Sequence, residues 1–435
     1  MVSVQSTGAL ERRMEVQVPA ARVEQEITQR LRNVSRTVRL KGFRPGKAPI
    51  KVVRQQFGKE IHQEVIGELM RRSFAEAVLE QKLNPAGGPR IEPIATAEGQ
   101  DLKYTAIFEV LPDISLKGID AIKVDRPVAS VTEDDVDVMI ESLRKQNPRW
   151  NEVAREARQA DRVTVDFSGT VDGEAFEGGK GENVQITLGA GQMLPEFESG
   201  LLDVAAGARK DIPLRFPDNY HAKALAGRNA VFDVSVKKVE EPEVPPLDEE
   251  FCRSFGIAEG GVDALRQAVG DNMRRELEQS LRSRVKTQVL DQLLAANPLE
   301  LPGTLVESQV RELQLEMARR MGARDASQIP GREPFLQPAR RRVALGLLIN
   351  EIIKREKIEV DRAQLNARLE EMVATYDDPQ AMLRAYQQNQ QAMHQVEMLV
   401  LEDQVVDWLV TRANVTERPQ TFKQVMNFGA EEQKE

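Results

Sequence analysis

Alternating and helically spaced apolar residues divide the first quarter of the chain into strands and helices. Apolar and polar positions alternate over residues 14–18 and again over 102–110, which is typical of half-buried strands. A helical spacing covers residues 20–35. A second helical stripe runs from Ile61 through Val65 and Leu69 to Val78 and Leu79. These patterns predict an α+β domain over residues 1–112.

The next stretch predicts a connector followed by a strand-rich domain. Thr132 with Asp135 three residues later resembles a capping box, so a helix should begin there and end at Asn147-Pro148. Period-2 alternation then recurs at 163–171, 184–188 and 232–236, and Pro195 is expected to open a short helix ending near Gly200. We therefore assign 113–150 to a connector and 151–242 to a β-rich domain.

The last part of the chain reads as helical. Residues 240–246 are rich in Pro and Glu and are interpreted as a linker. Apolar residues then recur every four positions from Leu265 to Val289, which predicts one long helix ending before Asn297-Pro298. Further stripes follow up to Val410, and the polar tail after Val415 is expected to fray. Residues 243–435 thus form an all-α domain, and the fold class is multidomain α+β.

Composition limits the class of protein. Of the 435 residues, 41% are hydrophobic and 30% are charged, with a formal net charge of −9, which fits a folded globular chain. The longest apolar run, 343–349, is far shorter than the ~20 residues of a membrane span, and the first residues do not resemble a secretory signal. The single cysteine, Cys252, fits a reducing compartment. We expect a cytoplasmic protein.

One segment of this acidic chain is strongly basic. Residues 27–59 contain ten basic side chains and no acidic one. A local basic patch on an acidic protein indicates a docking surface for an anionic partner, although a solvated helix face is the simpler alternative. Inside this basic block, residues 42–49 read Gly-Phe-Arg-Pro-Gly-Lys-Ala-Pro. Two glycines and two prolines fix a tight loop that presents Phe43 as an apolar anchor and Arg44 as a fork for phosphate or carboxylate.

Common catalytic signatures are absent from the sequence. It contains no G-x-x-x-x-G-K-[ST] phosphate loop and no H-E-x-x-H motif, and its three histidines lie far apart. Cys252 is interpreted as an inert thiol. The sequence therefore predicts neither a nucleotide or other cofactor nor a metal.

The loop resembles a known signature. It matches the ribosome-docking motif G-F-R-x-G-x-x-P of the bacterial trigger factor family at every fixed position, and the order of segments matches along essentially the whole chain. By this resemblance, a set of loop residues contacts the ribosome: Gly42, Phe43, Arg44, Pro45, Gly46, Lys47 and Pro49.

The β-rich segment resembles an FKBP-type peptidyl-prolyl isomerase. The matching stretches include 165–169, 176–179, 193–195 and 232–234. By this resemblance a proline pocket is lined by Phe167, Phe176, Met193, Leu194, Phe197, Tyr220 and Phe232. Aromatic residues on alternating strands that simply fill a barrel core are the alternative. Phe197 stands where the family usually has tryptophan and Glu177 where it usually has aspartate, which leaves the rate and macrolide binding open.

The resemblance implies an ATP-independent chaperone that binds nascent chains at the ribosomal exit tunnel and catalyses X-Pro isomerisation, with roles in folding, export and cell division. Its expected partners are the large ribosomal subunit (protein and rRNA) and unfolded polypeptides, with no membrane and with a homodimer as an option off the ribosome. Helical arms would form a cradle in which exposed methionines suit varied clients; most methionines there are expected to be core. The competing hypotheses are an isomerase that its flanking domains merely target, and a nucleic-acid binder.

Overall fold

The computed structural model describes residues 2–38, 43, 49–95, 99–220, 222–322, 325, 329–374, 376 and 378–427. Contacts between Cα atoms divide the chain into two compact units, one formed by 1–126 with 283–417 and the other by 127–282 with 418–435. In chain order the helices and strands are β1 (Val2–Ser6), β2 (Glu11–Val18), α1 (Ala20–Thr37), α2 (Ile50–Glu80), β3 (Arg90–Ala95), β4 (Leu102–Glu109), β5 (Lys123–Val128), α3 (Glu133–Gln146), β6 (Arg149–Glu152), β7 (Arg162–Val171), β8 (Glu174–Thr187), α4 (Pro195–Gly200), β9 (Arg209–Arg215), β10 (Asn229–Glu243), α5 (Glu249–Ser254), α6 (Gly261–Ala296), α7 (Gly303–Arg320), α8 (Glu333–Glu356), α9 (Arg362–Val373), α10 (Pro379–Gln388), α11 (Gln390–Arg412), β11 (Asn414–Pro419) and α12 (Phe422–Met426).

In the first unit, an antiparallel sheet of order β1-β2-β4-β3 packs with α1 and α2. The alternation predicted for β2 is confirmed, since Met14, Val16 and Val18 are all buried. Helix α2 buries Ile61, Val65 and Leu69 in the same core. The predicted end of the stripe, the pair Val78 and Leu79, is half correct: Val78 packs against this core, whereas Leu79 is 78% exposed in the last turn of the helix.

The rest of this unit is mainly helical. Helices α8 and α11 share a core with the last part of α6, built on buried residues such as Leu293, Ile352 and Leu409. The predicted end of α6 before Asn297-Pro298 is confirmed. The Asn297 side chain completes this end, accepting from Lys117 N at 2.8 Å and donating to the carbonyl oxygen of Leu293 at 2.9 Å.

The second unit contains the strand-rich segment, a sheet of order β6-β10-β7-β8 with β9 also paired to β10. Its strands and the short helix α4 agree with the period-2 pattern and with Pro195. The linker interpretation of residues 240–246 is wrong at its start. Strand β10 continues through Glu243, with Pro242 opposite Trp150 on β6. Polar cross-strand pairs hide this strand from a hydrophobicity pattern.

The capping box at the start of α3 is confirmed. The amide of Asp135 donates to Thr132 Oγ1 at 3.2 Å, and the amide of Thr132 donates to Asp135 Oδ2 at 3.0 Å. In the same unit Cys252 is buried in α5.

The expectation that everything after the linker is helical is wrong, and the expectation that the tail frays is wrong for residues 416–427. Residues 428–435 lie outside the described residues. Strand β11 pairs with β5, and α12 buries Phe422 and Val425 against Val136 and Ile140. The tail looked polar because its apolar residues in contact with the core, Phe422, Val425 and the partly buried Met426, are confined to this one short helix. The predicted fold class, multidomain with mixed helix and strand, is confirmed. Among the described residues no helix is long and apolar enough to cross a membrane.

Candidate functional site

A cluster of aromatic rings lies in the core of the strand-rich domain. Neighbouring strands β7 and β10 place Phe167 and Phe232 close together, with ring centroids 5.8 Å apart. Helix α4 adds Phe197, whose ring lies 5.7 Å from Phe167 and 5.3 Å from Phe232 in edge-to-face geometry. Such contacts bring the positive edge of one ring to the negative face of another. The three rings thus fix one another's positions.

The members of this cluster are either fully or only partly buried. Phe197 and Phe232 are 2% and 7% exposed and form its interior. Five other residues are only partly buried against them: Phe167, Phe176, Met193, Leu194 and Tyr220. The structure therefore brings all seven predicted pocket residues into one cluster. Their catalytic role stays a prediction.

Glycines opposite the rings make this arrangement possible. Gly169 pairs with Phe232 across β7 and β10, and Gly181 pairs with Phe167 across β7 and β8. A Cβ atom at either glycine would lie 2.6 Å from the facing ring, well inside ordinary carbon contact distance. Each ring therefore occupies the volume that a side chain would have taken. The sequence shows these glycines, but only the strand register reveals what they face.

Phe216 is a cluster member that the sequence reasoning did not assign to the pocket. It is 3% exposed, and its ring lies 4.7 Å from Tyr220 and 5.9 Å from Phe176. Phe216 thus packs as a buried ring against two partly exposed ones. Its position directly after β9 and before Pro217 was the available signal in the sequence.

A buried carboxylate lies beside the cluster. Glu198 on α4 is 8% exposed and accepts from the amides of Gly189 and Met193, each at 2.9 Å. Burial alone would raise the pKa of this carboxyl, but hydrogen bonds from the amides of the 189–193 loop outweigh it and lower the pKa. Sequence reasoning missed Glu198 because a glutamate on a short helix is usually solvated.

Asp166, which precedes Phe167 on β7, forms an ion pair with a lysine on β10. Asp166 pairs with Lys237 Nζ at 2.7 Å and also accepts from the amide of Asn183 at 2.7 Å. The hydrogen bond from Lys237 lowers the pKa of Asp166, followed by that from Asn183. This carboxylate is therefore engaged in linking β7, β8 and β10.

The second candidate site is the loop between α1 and α2. Phe43 is 39% exposed, and Pro49 immediately precedes α2. Gly42, Arg44, Pro45, Gly46 and Lys47 lie outside the described residues.

The helices that flank the loop carry part of the basic block. On them Arg30 pairs with Glu64, and Arg54 with Glu24. Arg32, Arg36, Lys51 and Lys59 are exposed. Exposed basic side chains are thus present on both helices that flank the loop.

In the part of the chain that the structure describes, no three His, Cys, Asp or Glu side chains are grouped so that they could hold a metal ion.

Three family models match successive parts of the chain. The bacterial trigger factor protein model matches residues 1–143, the FKBP-type peptidyl-prolyl cis-trans isomerase model matches 153–237, and the trigger factor C-terminus model matches 261–411. The aromatic cluster lies within the second match. The chain therefore carries an FKBP-type isomerase domain and is a peptidyl-prolyl isomerase.

Curated relatives agree over nearly the full length. The chain is 47% identical to the trigger factor of Alkalilimnicola ehrlichii over 98% of its own length and 95% of that protein. It is 44% identical to that of Thioalkalivibrio sulfidiphilus and 44% identical to that of Halorhodospira halophila, over 98% of both chains in each case. The chain belongs to the bacterial trigger factor family of chaperones.

Proposed function

We propose that this chaperone docks on the large ribosomal subunit through the 42–49 loop and, without ATP, receives nascent chains at the tunnel exit. The observation that carries the proposal is the exposed Phe43 within a segment of ten basic residues and no acidic one. An apolar anchor surrounded by cations suits a surface of protein and rRNA phosphate. Gly42, Arg44, Pro45, Gly46, Lys47 and Pro49 are the other proposed contact residues.

Ribosome co-sedimentation tests this docking. Phe43→Ala with Arg44→Ala should abolish co-sedimentation, and wild-type binding should weaken as salt rises, because ionic contacts are screened. The matched control is Leu79→Ala with Arg71→Ala, which removes one exposed apolar side chain and one exposed arginine from α2, outside the block. Wild-type binding by the loop variant would refute the proposal. Equal losses in the loop and control variants would instead indicate a bulk-charge nucleic-acid binder.

For the isomerase activity, we propose that the substrate proline binds over the partly exposed face of the aromatic cluster. Resonance in the planar amide sets a barrier of about 18–20 kcal/mol to rotation of the X-Pro bond. The twisted amide has lost that resonance and much of its dipole. An apolar surface to which Phe167 and Phe176 contribute, with Phe197 packed beneath them, therefore favours the twisted amide over the planar one, which is differential binding of the transition state. Tyr220 would supply a hydrogen bond, and no nucleophile is needed.

Chaperoning is proposed to depend on apolar side chains that the helices leave exposed. Helix α7 exposes Leu315 and Met317 at 39% and 40%, and Met321 at its end is 68% exposed. Most methionines of these helices were expected to be core. Met273, at 2% exposed, is core, whereas Met317 and Met321 are among the exposed ones. Flexible thioethers on a surface adapt to many partners, so each client should bind through several weak contacts.

Removing the isomerase domain separates chaperoning from catalysis. Deletion of residues 151–241 joins Trp150 to Pro242, which are cross-strand partners in the sheet. Cα atoms of such pairs lie about 4.5–5.5 Å apart, and a two-residue Asn-Gly turn inserted between them joins antiparallel partners as in a tight hairpin. Aggregation of a denatured model protein should still be suppressed by this deletion and not by a truncation before Leu247. The reverse result would refute a helical client surface and favour an isomerase that its neighbours only target.

The boundaries 1–112, 113–150, 151–242 and 243–435 are proposed as the functional division of the chain. A cytoplasmic, partly ribosome-bound location and a homodimer off the ribosome complete the proposal.

A further inference from the structure

The 189–193 segment is an irregular loop that leads directly into two pocket residues. Gly189 and Gly191 have φ values of +88° and +68°, a left-handed conformation that glycine adopts without strain. Gln159 lies so close over Gly189 that a Cβ there would be 2.0 Å from its Nε2. Met193 and Leu194 follow and pack partly buried against the aromatic cluster. The path of this loop therefore decides where the two apolar side chains lie.

A single carboxylate holds both ends of the loop. Gly189 N donates to Glu198 Oε2 and Met193 N donates to Glu198 Oε1, each at 2.9 Å. The two bonds use different oxygen atoms, so they require a group with two acceptors. Glu198 itself is fixed by α4, where its amide donates to the carbonyl oxygen of Leu194 at 3.1 Å. Its neighbour Phe197 forms the floor of the cluster.

Burying the Glu198 carboxylate costs free energy unless hydrogen bonds replace its contacts with water. A carboxylate that is 8% exposed loses much of its hydration, and that loss is offset only by strong hydrogen bonds. The amides of Gly189 and Met193 supply them, and the amides of Gly191 and Gln192 also favour the charged form and lower the pKa. An apolar side chain would leave these donors unsatisfied. Glu198 thus does more than fill space in the domain core.

We propose that Glu198 is a positioning residue for prolyl isomerisation, which sets the places of Met193 and Leu194 by accepting the amides at both ends of the 189–193 loop. The inference rests on the proposed pocket, since it concerns two of its lining residues. It adds a residue outside that lining whose effect on catalysis passes through the backbone.

The variant Glu198→Gln tests the proposal because it keeps the shape and removes one acceptor. The amide NH₂ would face a backbone N–H, so one end of the loop is released. In the full-length chain we expect kcat/KM for an X-Pro peptide to fall about tenfold, the range set by losing one charged hydrogen bond. Amide hydrogen exchange at Gly189 or Met193 should rise at the same time.

Two controls separate positioning from charge and from stability. Glu196→Gln removes the same charge from the exposed side of α4 and should keep wild-type kcat/KM. Val171→Ala removes buried volume from β7 where it pairs with Glu174, at the opposite end of β8 from the loop, so it should lower the unfolding temperature and keep kcat/KM when measured well below it. Wild-type kcat/KM in Glu198→Gln, or an equal loss in Val171→Ala, would overturn the proposal.

Met193→Ala distinguishes this inference from the pocket on which it rests. Loss of activity in Met193→Ala with full activity in Glu198→Gln would refute only the positioning role. Full activity in Met193→Ala would refute the contribution of this loop to the pocket, and the positioning role with it.

Discussion

Gly181→Ala is the substitution that most directly tests whether the position of Phe167 matters for catalysis. The φ of Gly181 lies outside the left-handed region, so alanine is allowed by the backbone. The added Cβ would lie 2.6 Å from Phe167 Cε1 and 2.7 Å from its Cζ, and 2.8 Å from Val184 Cγ2. Carbon atoms in contact are ordinarily ~3.5–4.0 Å apart, so the ring has to move by about 1 Å.

The size of the effect follows from that displacement. Phe167 packs edge-to-face with Phe197 and Phe232, so its ring cannot shift without disturbing both. Overpacking of this kind costs about 1–3 kcal/mol of stability. A misplacement of about 1 Å at a reacting centre can lower the rate by ~100-fold. We therefore expect a fall of about 10- to 100-fold in kcat/KM, with the domain still folded at low temperature.

The assay is catalysis of proline-limited refolding, whose uncatalysed phase takes tens to hundreds of seconds. Native protein should be verified by circular dichroism at the assay temperature. The control is Lys180→Ala, the adjacent position on β8, whose side chain is 72% exposed in an ion pair with Glu182. An exposed ion pair contributes little, so this variant should be fully active. Wild-type kcat/KM in Gly181→Ala would show that the place of Phe167 does not govern the reaction.

Two further substitutions address a hydroxyl and a helix cap. Tyr220→Phe keeps the ring beside Phe216 and should lower kcat/KM by about 2- to 10-fold if the hydroxyl bonds the substrate, as peptide assays would show. Glu109→Gln should loosen the start of α7, because Glu109 accepts from Gly303 N at 2.9 Å and from Thr304 N at 2.7 Å, and hydrogen exchange there should rise. Burial raises the Glu109 pKa, but these bonds and the Thr304 hydroxyl lower it overall. The stabilisation that Glu109 gives to the start of α7 should be complete above about pH 4.3, the pKa of glutamate in the unfolded chain, and should be lost as the pH falls through the lower pKa of the folded state. Below that pH, wild type and Glu109→Gln should exchange these amides at the same rate.

Local signals were sufficient for much of the fold. The capping box at Thr132, the proline at position 195 and the four-residue repeat before Asn297 each specify an element through interactions within a few residues. Such signals do not depend on what the element later packs against.

The structural features that the sequence did not predict depend on residues far away in the chain. Strand β10 continues through Glu243 because it finds β6 about ninety residues away, and polar residues give no alternation to reveal this. Phe422 and Val425 are buried only because α3 and α6 are there to cover them. Conversely, Leu79 follows the helical stripe, yet nothing covers the end of α2 on that side.

The same limit applied to the candidate sites. A motif identified the loop, and the resemblance to FKBP-type isomerases identified the seven proposed pocket residues, so both were available from sequence. The supporting residues were not. Gly181 acquires meaning only from its register with Phe167, and Glu198 only from the amides of a loop that folds back over its own helix.

Burial also bears on the alternative that the aromatic residues are merely core. Phe197 and Phe232, at 2% and 7% exposed, are core by any measure, and truncating either to alanine would cost about 3–5 kcal/mol. Loss of activity in such a variant could reflect unfolding alone. Phe167, Phe176 and Tyr220 keep part of their surface exposed on the same cluster. Changes that displace these side chains while leaving the interior intact are therefore the ones that separate a binding surface from a barrel core.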